Sequence, residues 1–449
     1  MNKTNPSAAE GKNVMPASPG ADDAVTSIHK WVVSWAASIQ GPYPIGNPAA
    51  QPDMSRVFPR PEAGARDQSF RLIVRPTLWG RETRIRLSNV LGTTPITFDG
   101  VYIGLQHSGA EVTAGTNREI TFGGKSGVSI AAGQSVWSDA VALPFVRDAS
   151  VSDLAGRKLA VSFHIVGESG PMTWHAKALQ SSYVTWPGAG AKGHEEAEGA
   201  FSFATAAWYF LDALDMRAEA DTYAVVAFGD SITDGTASTL NGDDRWPDVL
   251  DRRLRALYGN RVAVVNAGIG GNQVLRPAVY PPPQSLPVFP GGPSALSRLE
   301  RDVLTLSGVH VVIWLEGIND FSRNGTATYE AVAKGMRDGV ARIRSRIPGV
   351  RVIGATVASA LGSTSAAHGF LEQDQKRRRL NSFICTSDVF DGVVDFDKAV
   401  TDPRTGEMRA EFVPDNTLGE QGDKLHPNRL GYLAMGAAID LELLARRPQ

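Results

Sequence analysis

Cysteine is almost absent: Cys385 is the only one in 449 residues. An intramolecular disulfide is therefore impossible, and a thiolate metal site is not expected. Cys385 follows Phe383 and Ile384, and it reads as part of a buried helix face where a thiol packs inertly. Long apolar runs are missing too, and no stretch is long enough to span a bilayer. Neither sign of charge is in excess, since the formal net charge is -2. There is no basic stripe of the kind nucleic-acid binders carry. The short run Lys376-Arg377-Arg378-Arg379 follows an acidic segment and reads as a solvated helix face. Nucleic acid and membrane are thus not expected partners. Residues 1–25 lack the apolar h-region of a secretory signal. The chain suits either the cytoplasm or a secreted protein whose signal has been removed. No internal repeat is present.

What is there is ordinary globular composition, 42% hydrophobic and 20% charged, over a length that favours two or more domains. Residues 1–28 read as a flexible arm. From Trp31 onward come short β-type runs at 31–36, 70–75, 83–88, 96–103, 158–165 and 181–186, separated by Gly, Pro, Asn and Asp. Residues 187–199 look like a mobile loop, and 201–214 like a further strand leading out. Many short strands without a helical period predict an antiparallel β-sandwich domain over 29–215. Beyond residue 221 the period changes. Strands are expected at 223–228, 262–266, 309–315, 350–356 and 392–396. Helices are expected at about 246–258, 294–306, 328–346, 373–383 and 431–446. That alternation predicts an α/β fold for 216–449, a three-layer, doubly wound parallel sheet. Two insertions, 272–293 and 358–370, follow strands and should lie over the active face.

Chemistry-bearing residues gather at the expected strand ends. The apolar run 223–228 stops at Gly229, and Asp230 and Ser231 follow. Alone, such a pair reads equally well as a helix cap. The second strand runs into Asn266-Ala267-Gly268-Ile269-Gly270-Gly271-Asn272, and the third into Gly317-Ile318-Asn319-Asp320. Asp423-Lys424-Leu425-His426 precedes the last helix. The glycine run lacks the spacing of a dinucleotide-binding loop. Together the four stretches supply what acyl transfer from an ester needs. Ser231 offers a hydroxyl, and His426 can take its proton. Asp423 is three residues from His426 and can orient the imidazole. Asn319 offers an amide, and Gly271 a backbone N–H that a substrate can approach, with Gly268 and Gly270 as rivals.

This set resembles the SGNH (GDSL) hydrolase superfamily, whose blocks run Gly-Asp-Ser, a glycine, Gly-x-Asn-Asp and Asp-x-x-His. The resemblance covers about residues 222–445. It implies that Ser231 is the nucleophile, His426 the base and Asp423 its partner. The Ser231 N–H, the Gly271 N–H and the Asn319 side chain would form the oxyanion hole. The N-terminal half is similar to the accessory β domain of some bacterial members, without a defining motif. The implied activity is that of a serine esterase needing no metal or organic cofactor. It would act on a carbohydrate or small-molecule ester of acetyl or another short acyl group. A carbohydrate-binding protein dominated by its β-sandwich, or a lipase- or lysophospholipase-like hydrolase, are the alternatives.

The remaining candidates are less specific. Trp246, Tyr280, Trp314 and Phe289 could line a substrate pocket or belong to the core. Glu316 could bind a polar substrate, though pairing with Arg245 is the expected role. Asp230 and Asp234 should hold the nucleophile turn, and Asp320 should cap a helix. His310 reads as structural, and the histidines other than His426 show no metal-ligand spacing. His368 lies in the 358–370 insertion, within possible reach of the pocket.

Overall fold

The computed structural model describes residues 29–147, 152–277 and 290–445. The expected arm, together with Tyr280 and Phe289, lies outside the described residues.

In the C-terminal half five strands pair in parallel: Tyr223–Gly229, Val262–Gly268, Val309–Leu315, Arg351–Ala355 and Gly392–Val394. Their order in the sheet is second, first, third, fourth, fifth. The helices are α1 (Ser231–Asp234), α2 (Trp246–Tyr258), α3 (Ala295–Leu299), α4 (Tyr329–Arg346), α5 (Leu371–Thr386), α6 (Phe396–Val400) and α7 (Arg429–Ala438). The strands are apolar throughout because successive side chains face two different cores. Val225, Ala227, Val264 and Ile313 pack with Leu250 of α2 and Met435 of α7. Val226, Phe228, Val265 and Trp314 fall in the other core, with Met336 of α4 and Leu380 of α5. The first strand lies between the second and third, so its carboxyl end is the switch point where open α/β sheets place ligands. Ser231 begins α1 at that end.

Several elements differ from expectation for local reasons. The helix expected over 294–306 is α3 followed by a π-helical turn, Glu300–Leu304. α6 starts right after the fifth strand, because the Asp395 carboxylate accepts the Lys398 N–H and caps it. α7 ends at Ala438, and Asp440 caps a separate turn, Leu441–Leu443. Cys385 is exposed rather than buried. Leu380 and Ile384 hold the buried stripe of α5, and the next residue turns away by a helical step.

The N-terminal half consists of antiparallel sheets. One runs His29–Ala36, Leu211–Glu219, Glu82–Ser88, Val141–Ala142. A larger one is built on Arg66–Val74, Leu159–Glu168 and Ile96–Ser108. The strand expected over 201–214 is broken into Phe203–Thr205, Trp208–Tyr209 and Leu211–Glu219, with Phe210 in a left-handed conformation (φ 58°) between the last two. The last strand pairs with His29–Ala36 as far as Glu219, beyond residue 215.

The two halves share a core. Phe70, Phe98 and Phe163 of the antiparallel sheets belong to the same continuous apolar cluster as Phe228 and Trp314 of the parallel sheet. Period-two alternation explains one seam. Along Glu82–Ser88, Ile85 and Leu87 enter that cluster. Arg84 and Arg86 point the other way, to Ser307 Oγ (3.2 Å) and Thr305 Oγ1 (3.0 Å). Only residues 220–222 separate the last antiparallel strand from the first parallel one. Shared apolar burial, at about 25 cal/mol per Å², should make the halves unfold together. The full chain is expected to melt in one transition, and residues 216–449 alone to melt lower or aggregate. Calorimetry that finds two independent transitions, with an unchanged midpoint for the isolated half, would refute this.

Candidate active site

The turn into Ser231 is tight because Gly229 allows it. A Cβ there would come within 2.3 Å of the Leu315 carbonyl and 2.4 Å of Thr233 Oγ1. Asp230 then caps α1 by accepting the Ile232 N–H (3.0 Å), and the helix ends at Gly235 (φ 106°). Ser231 is buried to 4% exposure. Its Oγ lies 2.8 Å from His426 Nε2, and His426 Nδ1 lies 2.7 Å from Asp423 Oδ2. The other Asp423 oxygen accepts the backbone N–H groups of Leu425 and His426, each at 2.9 Å. Lys424 takes a left-handed φ of 57°, which curls the three-residue spacing enough for carboxylate and imidazole to meet. Burial pushes the Asp423 carboxyl up, but His426 and these N–H donors outweigh it and hold the group well below the usual carboxylate range. An ionised Asp423 accepts the hydrogen bond of Nδ1–H, which keeps that proton on Nδ1 and leaves Nε2 to accept from the serine hydroxyl.

Donors for a developing oxyanion can be found by accounting for the glycine run. Gly268 N–H donates to Asn266 Oδ1 (2.9 Å), Ile269 N–H to the Gly229 carbonyl (3.1 Å) and Gly270 N–H to Asp234 Oδ2 (2.9 Å). Asn272 N–H donates to the Ile269 carbonyl (3.1 Å). Among the described residues this leaves the N–H of Gly271 (φ 79°) uncommitted. Asn319 spends one amide hydrogen on the Asn272 carbonyl (3.0 Å) and keeps the second. Ser231 N–H, at the first position of α1, has no intrahelical acceptor.

Asp320 does not cap a helix. Thr328 caps α4, and Asp320 accepts the N–H groups of Val274 (2.9 Å) and Leu275 (3.2 Å), fastening the stretch after Gly271 to the Asn319 turn. Glu316 does not pair with Arg245 and is not in reach of solvent. It is fully buried, and its Oε2 accepts the Trp314 indole N–H (2.9 Å). Arg245 instead donates to the Ala178 carbonyl. Trp246 is core, tilted against Phe396 at 5.2 Å between centroids. Trp314 is core as well.

Three residues escaped the sequence reading. Arg298 on α3 is buried and stacks over Phe228 at 4.1 Å. It donates to the Gly229 carbonyl (2.7 Å), the Ala267 carbonyl (2.7 Å) and Asn272 Oδ1 (2.8 Å), and pairs with Asp302 (3.0 Å). The other two come from the N-terminal half. Gln40 Nε2 donates to the Gly270 carbonyl (3.1 Å). Lys177 Nζ donates to Thr236 Oγ1 (2.5 Å), and lies 3.0 Å from where a Cβ on Gly270 would be. Burial holds the Lys177 ammonium pKa down, while Asp234 and Asp423 pull it up. None of the three has a local motif to announce it. Among the described residues no group of His, Cys, Asp or Glu is arranged to hold a metal ion.

Residues 227–434 match the family described as GDSL-like Lipase/Acylhydrolase. The chain carries a GDSL-like (SGNH) hydrolase domain. It is a carboxylic ester hydrolase. Solved structures similar to the SGNH domain include the native M. smegmatis aryl esterase, at 19% identity over 48% of this chain and 96% of that one (TM-score 0.36). A lipase/acylhydrolase from Enterococcus faecalis is 24% identical over 48% and 93% (TM-score 0.36). Est24, a carbohydrate acetylesterase from Sinorhizobium meliloti, is 15% identical over 48% and 96% (TM-score 0.36). No curated protein matches the chain.

The SGNH domain buries several carboxyl groups, among them Asp230, Glu316 and Asp320. Burial pushes Glu316 to about 7 against the pull of Arg298, and pushes Asp320 to about 7. Asp230 is raised well above its usual range by burial and by Glu316. A carboxyl whose pKa is higher folded than unfolded costs stability once it ionises. For Glu316 that cost is absent below its usual 4.5, grows as pH rises to about 7, and levels off above. Glu316→Gln should therefore be more stable than wild type at pH 8 by up to about 3 kcal/mol, with the gain vanishing near pH 4.5. Urea midpoints at the two pH values check this. A variant destabilised equally at both would mean that the Glu316 charge is fully compensated.

Proposed function

We propose that the protein is a serine esterase working through an acyl-enzyme, with a carbohydrate or small-molecule ester of acetyl or another short acyl group as substrate. The observation that carries this is the continuous hydrogen-bonded chain Ser231–His426–Asp423, set beside uncommitted donors at the switch point of the sheet. His426 Nε2 takes the Ser231 proton as Oγ bonds to the ester carbonyl carbon. The carbonyl oxygen becomes an oxyanion, held by the N–H groups of Ser231 and Gly271 and by the Asn319 amide. Collapse breaks the bond to the alcohol oxygen, which leaves with the proton from His426. Water, deprotonated by His426, then attacks the acyl-serine, and the acid departs as Ser231 regains its proton.

In this reading residues 216–449 are the catalytic domain and 29–215 a sandwich-type accessory domain. The accessory domain's part is to wall the site: Gln40 and Lys177 both reach the turn that carries Gly270 and Gly271. No metal or organic cofactor enters any step.

The test is hydrolysis of short p-nitrophenyl esters by wild type, Ser231→Ala and Asn319→Ala. Ser231→Ala should be inactive. Asn319→Ala should lose about 10²–10³ in kcat while remaining folded, with a somewhat lower melting temperature because the buried Asn272 carbonyl loses its donor. Equal rates in wild type and Ser231→Ala would sink the assignment.

A further inference from the structure

The 358–370 insertion carries His368, which the mechanism above leaves unused. The insertion is fastened to the acid–base turn, where Ser363 Oγ (2.7 Å) and the Thr364 N–H (3.1 Å) both donate to the Asp423 carbonyl. At its other end it meets Gln373 on the first turn of α5. Gln373 Oε1 accepts the Gly369 N–H (3.0 Å), and Nε2 donates to the carbonyl of Ile318 (3.1 Å), next to Asn319. This amide cannot be turned over. Reversal would set Oε1 against the Ile318 carbonyl and Nε2 against the Gly369 N–H.

Gln373 Nε2 is therefore the donor in its 2.7 Å contact with His368 Nδ1. An accepting Nδ1 puts the ring proton on Nε2. Burial and the neighbouring His426 hold the His368 pKa down to about 4, so the ring stays neutral near pH 7. The side chain is half-buried, and its Nε2–H has no acceptor among the described residues. A neutral donor of fixed tautomer thus sits near His426, on an insertion tied at one end to the Asp423 carbonyl and, through Gln373, to the Ile318 carbonyl beside Asn319. His426 must protonate the leaving oxygen, so the alcohol part of an ester lies on the His426 side of the carbonyl.

We propose that His368 is a specificity-determining residue whose Nε2–H hydrogen-bonds an oxygen on the alcohol portion of the ester, favouring sugar-like alcohols over alkyl and aryl ones. This rests on the esterase reading of the site. A simple aryl alcohol offers no acceptor there, so the donor would lose its bond to water without replacement.

The experiment uses the full chain and measures kcat/KM for phenyl acetate and for a mono-acetylated methyl glucoside. The readout is the ratio of the glucoside acetate to phenyl acetate. In His368→Leu the ratio should fall roughly tenfold, mainly through KM. His368→Gln, which retains a donor, should recover most of it. Gln373→Leu, which frees the tautomer, should lose part of it. A ratio within about twofold of wild type in His368→Leu overturns the proposal. If that variant does not fold, an unchanged ratio in Gln373→Leu overturns it. So does a wild type that hydrolyses phenyl acetate but not the acetylated sugar. Wild type inactive on both, or Ser231→Ala as active as wild type, overturns the esterase reading itself and this proposal with it.

Discussion

A buried guanidinium organises the site. Arg298 has no access to solvent, so its donors must all be satisfied by the protein. It spends them on the carbonyl at the end of the first strand, the carbonyl near the end of the second and the side chain of Asn272. Those groups flank Ser231 on one side and Gly271 on the other. Asp302 supplies the counter-charge, and Ser38 of the N-terminal half accepts at 3.3 Å. Removing one member of such a buried pair typically costs about 3–5 kcal/mol, because the other is left uncompensated. A planar fork suits this task better than an ammonium, since it fixes several acceptors in one plane. Ser231 and the Gly270–Gly271 turn are thereby tied to one buried side chain.

The electrostatics around that side chain follow from depth. Asp423, partly exposed, keeps its negative charge beside His426. Carboxyls that sit deeper, Glu316 and Asp320, are pushed towards neutrality by the same burial that makes the strand ends rigid. Asp320 still works as an acceptor of two backbone N–H groups, so its position matters more than its ionisation. The N-terminal half adds a buried ammonium, Lys177, close to Gly270. Its charge faces the Asp234 carboxylate, which accepts the Gly270 N–H.

The four blocks were legible because each is covalently local. A turn of Gly-Asp-Ser, or an Asp three residues before a His, needs no tertiary context to be read. The parallel alternation was legible for the same reason, since period and length are properties of short windows. What stayed hidden was brought together by the fold. Arg298 reaches carbonyls at Gly229 and Ala267, and Gln40 reaches Gly270 across most of the chain. The misreadings have the same origin. Glu316 and Arg245 looked like partners by charge alone, but burial gave Glu316 to Trp314 and Arg245 to Ala178. Trp246 looked like a pocket wall because its residue type suits one, yet it starts an amphipathic helix whose apolar side it joins. Cys385 missed the buried stripe by a single helical step.

The solitary exposed thiol on α5 offers something practical. It is the one place on the chain where a maleimide or a spin label can be attached without first removing other cysteines. Partial burial and the nearby Asp395 and Asp397 raise its pKa, so coupling calls for mildly alkaline buffer. The helix that would carry the label begins with the residues that fasten the 358–370 insertion, through Gln373. A dye near the C-terminal end of α5 would thus sit on the helix whose first turn holds that insertion.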